Sequence, residues 1–115
     1  MNTTEKNKLI AEFMGYAISE QTEGFAQRDK YPKNPFEEIS FNSSWDWLMP
    51  VVEKIHSDTD CFVTIYYKEC TIHNMYSNKM KDIRSEKENT LQSIYEAVVQ
   101  FVKWYNETIN QNLAK

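Results

Sequence analysis

The chain has 115 residues, enough for one domain that buries roughly two thirds of the surface its unfolded form exposes. Its apolar content is 41% and its aromatic content a high 14%, with two glycines and three prolines, a composition that argues against disorder and internal repeats. Thirteen basic against seventeen acidic residues leave a net charge of −4, which disfavours non-specific attraction to a phosphate backbone, and no apolar run approaches the ~20 residues that span a bilayer.

The first predicted element is a helix from about Thr4 to Met14, with Leu9, Ile10, Phe13 and Met14 on one stripe and Gly15 placed to end it. Residues 16–42 then lose periodicity, mixing Gly24, Pro32 and Pro35 with charged groups and scattered aromatic rings. A connection this long is uncommon inside a compact domain, so it reads as a partly ordered excursion that is either a binding element or holds a short strand around Glu37 to Phe41. Ser43 begins the second helix, and Asp46 three residues on completes a capping-box pattern. Trp45, Leu48, Met49, Val52 and Ile55 line one face, with Trp47 and Val51 beside it, which makes Trp45 the expected core anchor. Pro50 cannot donate to the carbonyl of Asp46, so a kink or a tightened first turn is expected there.

From residue 61 the period changes to alternation. Cys61, Val63, Ile65 and Tyr67 point one way, and Phe62, Thr64 and Tyr66 the other. A two-residue turn at Lys68-Glu69 pairs residue 67 with 70 and 65 with 72, though the absence of glycine and asparagine there leaves a longer loop open. Residues 77–89 carry alternating charges with little apolar content and read as an exposed connection. Thr90 can cap the last helix, which runs to about Asn110 with Leu91, Ile94, Tyr95, Val98, Phe101, Val102, Tyr105 and Ile109 inward. The sum is a single α+β domain over residues 1–115, about three helices packed on a short antiparallel hairpin or small sheet.

The chemistry-bearing residues are sparse. His56, Cys61, Cys70 and His73 are the soft metal ligands, but Cys70 and His73 fall on opposite faces of a strand, and no metal is expected. Asp58-Thr59-Asp60 lacks the further ligands and the glycine of a calcium loop. The cysteines lack CxxC spacing and suit buried thiols in a reduced compartment. There is no nucleophile with an orienting histidine and no glycine-rich phosphate loop, so neither a catalytic residue nor a cofactor is assigned. The basic-then-apolar order of a signal peptide is also missing, which leaves the cytoplasm as the expected location.

Flat rings beside cations are the remaining signal. Tyr31, Phe36, Phe62, Tyr66, His73, Tyr76, Lys79, Lys81 and Arg84 are the candidate partner-binding residues. The same set suits a protein partner, where aromatic groups concentrate at interface centres, or RNA, where bases stack on rings.

With LIAEFMG (9–15), SSWDWLMPVVEKI (43–55) and LQSIYEAVVQFVKWYN (91–106) in this order, the chain resembles a family of small uncharacterised proteins from phages and mobile elements of Bacteroidetes-type bacteria. The resemblance covers about a third of the residues, carries no catalytic residues to transfer, and makes the 16–42 segment look like an enlargement. It implies a non-enzymatic protein of the host bacterial cytoplasm that binds a host protein or ribonucleoprotein, an anti-CRISPR or similar counter-defence protein in its most concrete form. A small RNA-binding accessory protein is the alternative, and a cryptic nuclease or hydrolase the third reading.

Overall fold

The computed structural model describes residues 1–28, 36–75 and 81–113, with side chains through Ile109. Helix α1 (Thr3–Met14) is opened by Asn2, whose side chain accepts the amide of Glu5 at 2.8 Å. Gly15 ends it as expected: its φ of 75° is the left-handed conformation that glycine adopts without cost.

The described parts of the 16–42 excursion, residues 16–28 and 36–42, are more ordered than their sequence suggests. Strands β1 (Ala17–Ile18), β2 (Phe25–Gln27) and β3 (Glu37–Glu38) form a small antiparallel sheet in that order. Strand β3 falls within the short strand expected around Glu37 to Phe41, whereas β1 and β2, of two and three residues, are too short to show the alternation that marks a strand in sequence. Ala26, Ile39 and Phe41 of this segment reach the core.

Helix α2 (Trp45–Asp58) departs from expectation at its start. The cap is Ser44, not Ser43, and its side chain makes no capping hydrogen bond, so the expected capping box does not form. The two tryptophans also exchange roles: Trp47 is 5% exposed and Trp45 47%. The reason lies outside the helix. Phe41 meets the Trp47 ring edge-on at 5.2 Å and Tyr16 does so at 6.2 Å, so the excursion supplies the walls of its pocket. Pro50 is accommodated inside the helix, and the Asp46 carbonyl it leaves without a partner accepts a long bond, 3.4 Å, from Arg28 Nη1.

The second sheet is a meander of β4 (Cys61–Tyr66), β5 (Glu69–Asn74) and β6 (Ile83–Glu86). Ile65 pairs with Cys70 and Tyr66 with Glu69, so the turn is Tyr67-Lys68 and the register is displaced by two residues from the expected one. A two-residue displacement preserves which side chains share a face. Cys61, Val63, Cys70 and Ile72 are accordingly buried together, while Tyr67 leaves that face for the turn. Lys68, at φ 59°, takes the left-handed turn position that sequence would give to glycine or asparagine. Strand β6 falls in the stretch expected to be a connection. Its charged residues are indeed exposed, but Ser85 is buried and Ile83 half-buried against β5.

Helix α3 (Thr90–Leu113) is capped by Asn89, whose Oδ1 accepts from the amide of Gln92 at 2.9 Å, one residue before the expected Thr90. About 36 Å long at 1.5 Å per residue, it lies across the inner face of the β4–β5–β6 sheet. Ile94, Val98, Phe101 and Val102 form its buried stripe, and α1 packs on its flank through Phe13, which meets Phe101 and Tyr105 edge-on. The result is one α+β core in which helices cover a single face of the larger sheet. No helix among the described residues is long and apolar enough to cross a membrane.

Candidate interaction surface

Strand alternation places Phe62, Thr64 and Tyr66 of β4, Glu69, Thr71 and His73 of β5, and Arg84 and Glu86 of β6 on the uncovered face of the larger sheet. Four of the sequence-predicted residues, Phe62, Tyr66, His73 and Arg84, therefore share one surface. Phe62 and His73 are cross-strand partners with ring centroids 4.3 Å apart, and both are half-buried by that contact. Arg84 bonds Glu69 on the neighbouring strand. Lys81 is exposed just before β6, and Phe36 is exposed beside β3, on the other sheet. Tyr31, Tyr76 and Lys79 lie outside the described residues.

The most exposed rings cluster at the β4–β5 turn: Tyr66 is 57% exposed and Tyr67 82%. The turn beneath them is held from both sides. The Lys68 amide donates to Thr90 Oγ1 at 3.1 Å, and the Lys68 carbonyl accepts from Ser93 Oγ at 2.8 Å and from the Lys87 amide at 3.3 Å. Ser93 is fully buried and its hydroxyl also accepts from the Lys87 amide, so the tip is tied to the first turn of α3 and the end of β6. Exposed tyrosines on a backbone fixed in this way lose little conformational freedom on binding. Sequence reasoning assigned Tyr67 to the inner face, and only the turn position reveals it.

Thr64, His73 and Asp82 follow one another as a nucleophilic triad would, with Thr64 Oγ1 3.3 Å from His73 Nε2 and His73 Nδ1 3.6 Å from Asp82. The surroundings do not suit such chemistry. Thr64 sits mid-strand on an open face, its own amide in the ladder with β5 and the amide of Val63 beside it taken by His56 Nε2, so the neighbouring backbone offers no free N–H pair to receive an oxyanion. The second separation is also too long for the hydrogen bond that orients a catalytic imidazole.

The grooves lie elsewhere. One of about 590 Å³ between α1 and the β1–β2 connection is lined by Lys8, Glu12, Glu20 and Glu23 among others, and is broad and open. Another of about 270 Å³ is lined by Glu12, Phe13, Lys54, Asp58, Tyr105 and Asn106. Neither contains a histidine or cysteine. Among the described residues no group of three or more His, Cys, Asp and Glu side chains is placed to hold a metal ion. Cys61 and Cys70 are free and buried, and burial pushes the Cys70 thiol up to about 12.

Compared with protein-family models, curated proteins and solved structures, the chain gives no match.

Proposed function

We propose that this chain is a non-enzymatic binding protein that docks on a macromolecular partner through Tyr66 and Tyr67. The observation that carries this reading is the pinned turn: two highly exposed tyrosines ride on a Lys68 backbone bonded at both its N–H and its C=O. Large apolar rings in water serve no purpose in the core, and tyrosine is among the residues that dominate binding energy at interface centres. The resemblance to phage and mobile-element proteins directs the proposal to a host protein or ribonucleoprotein complex, with inhibition of a host defence, as an anti-CRISPR protein would exert, as its concrete form.

Charge favours a protein surface over bare RNA. Lys68, Lys81, Arg84 and Lys87 around the face are matched by Glu69, Asp82, Glu86 and Glu88, so little net attraction for phosphate remains. The test is affinity capture from a host-type bacterial lysate with the wild-type chain and with Tyr66→Ala/Tyr67→Ala. A stoichiometric partner retained by the first and lost by the second, folded, variant is the expected outcome. Equal capture by both, or no partner at all, overturns the reading, and fluorescence anisotropy with single-stranded RNA identifies the nucleic-acid alternative by a salt-sensitive signal.

A further inference from the structure

The two edges of the β4–β5–β6 sheet differ. On the β4 edge the outward amides of Cys61 and Val63 are taken by side chains, Thr59 Oγ1 at 3.1 Å and His56 Nε2 at 2.9 Å. A strand cannot add there without displacing them. On the β6 edge the parity is set by the Lys87 amide, which bonds the Lys68 carbonyl of the strand's neighbour. With Cys70 opposite Ser85 and Ile72 opposite Ile83, alternate residues Ile83 and Ser85 turn their backbone groups toward β5, and Arg84 and Glu86 turn theirs away. No described residue hydrogen-bonds those outward groups.

We infer that β6 pairs with β6 of a second copy of this chain, antiparallel about a two-fold axis at Ser85, joining the two sheets into one of six strands. Parity requires outward residues to face outward residues, and charge selects among the registers that satisfy it. Arg84 opposite Arg84, or Glu86 opposite Glu86, places like charges together, which destabilises a sheet. The register between them sets Arg84 opposite Glu86 of the second copy and Glu86 opposite its Arg84, and each such pair exchanges both N–H···O bonds.

The isolated chain shows what this pairing relieves. Glu86 lies directly opposite Glu69 and has no ion pair among the described residues, while Arg84 serves Glu69 alone. A second copy supplies the missing cation. Charged edge strands ordinarily discourage strand addition, and a run of one sign would do so here. Alternating Arg84 and Glu86 instead makes the edge complementary to itself. The strand is four residues long, so the contact is smaller than a standard interface and the dimer is a weak, concentration-dependent one. It is independent of the tyrosine tip, and neither reading stands or falls with the other.

Sedimentation velocity on the full chain from micromolar concentrations to about 1 mM tests it, a range that reaches weak association. A reversible monomer–dimer equilibrium is expected. Arg84→Glu and Glu86→Arg should each weaken it at least tenfold, and the double exchange, which restores opposite charges in both pairs, should recover it. Glu86→Arg replaces the like-charged neighbour of Glu69 with a cation and retains Arg84, and Glu86→Pro removes an outward donor while sparing the ladder to β5, so circular dichroism can confirm that both remain folded as dimerisation is lost. A monomer throughout the range, a dimer indifferent to these changes, or a folded double exchange that stays monomeric overturns the inference.

Discussion

The Tyr95 hydroxyl donates to Asn7 Oδ1 at 3.0 Å, joining α3 to α1 across 88 positions of sequence. Both side chains are buried, and Asn7 Nδ2 in turn donates to the Ile39 carbonyl at 3.3 Å and to Asn42 Oδ1 at 3.0 Å. One asparagine thus ties the end of the 16–42 excursion to two helices with its donor and acceptor groups both engaged.

Tyr95→Phe removes one of these bonds and leaves Asn7 Oδ1 buried without it. Such an orphaned acceptor costs about 1–3 kcal/mol, and urea denaturation followed by circular dichroism should show a loss in that range. Asn7→Ala should cost more, because it strands the Tyr95 hydroxyl and releases the Ile39 carbonyl at once. A variant as stable as wild type would mean that water enters the site.

The exchange of roles between the tryptophans has a direct thermal signature. Trp47→Ala should cost about 3–5 kcal/mol by opening a cavity among Tyr16, Phe41 and the rest of the core, whereas Trp45→Ala should cost under about 1 kcal/mol. Arg28→Ala belongs between them. Its guanidinium lies 4.3 Å from the Trp47 ring centroid, pairs with Glu37 and supports the Asp46 carbonyl, and its loss should shift Trp47 emission to the red as water reaches the ring.

Cys70 gives the protein an alkaline limb. Its thiol ordinarily titrates at 9.0 and burial raises it to about 12, so the folded state retains a proton that the unfolded state releases. The stabilisation is fully present below pH 9 and is lost as pH rises toward 12. Between pH 8 and 10 the wild type should lose about 1 kcal/mol more than Cys70→Ala, measured by urea midpoints at each pH. Native Cys70 should also resist a disulfide-exchange reagent until the protein is unfolded, since the thiolate is the reacting form.

Ser85 Oγ is buried opposite Cys70 with no hydrogen-bond partner among the described residues. Removing an unsatisfied hydroxyl eliminates a desolvation cost, so Ser85→Ala should be neutral or stabilise the protein by up to about 1 kcal/mol. A thermal melt that drops by several degrees would point to a water bound at that hydroxyl.

Legibility varied with how local the determining physics was. Helix α3 was readable because Ile94, Val98, Phe101 and Val102 repeat at helical spacing over many turns. Gly15 announced the end of α1 through its backbone freedom alone. The β4–β5 faces were readable even though the turn was misplaced, because a two-residue slip leaves alternation intact. Strand β6 was hidden: its one apolar residue, Ile83, makes no pattern, and the partner that turns it into a strand is β5. Of the candidate surface, alternation puts Phe62, Tyr66 and His73 on the outer side of the hairpin, while Arg84 joins them only through the pairing of β6 with β5 and Tyr67 depends on where the chain reverses.

The sequence by itself determined an α+β chain with three helices, the buried stripe of the last one, and the two faces of the β4–β5 hairpin, because periodic burial is written residue by residue. Only the tertiary structure decided which tryptophan anchors the core, where the tyrosine tip stands, and that Arg84 and Glu86 line an open strand edge. Those features are set by contacts between residues far apart in sequence, the walls of Tyr16 and Phe41 around Trp47 and the Thr90 and Ser93 bonds that hold Lys68. A side chain's periodicity says which way it points, and its distant neighbours decide what it meets there.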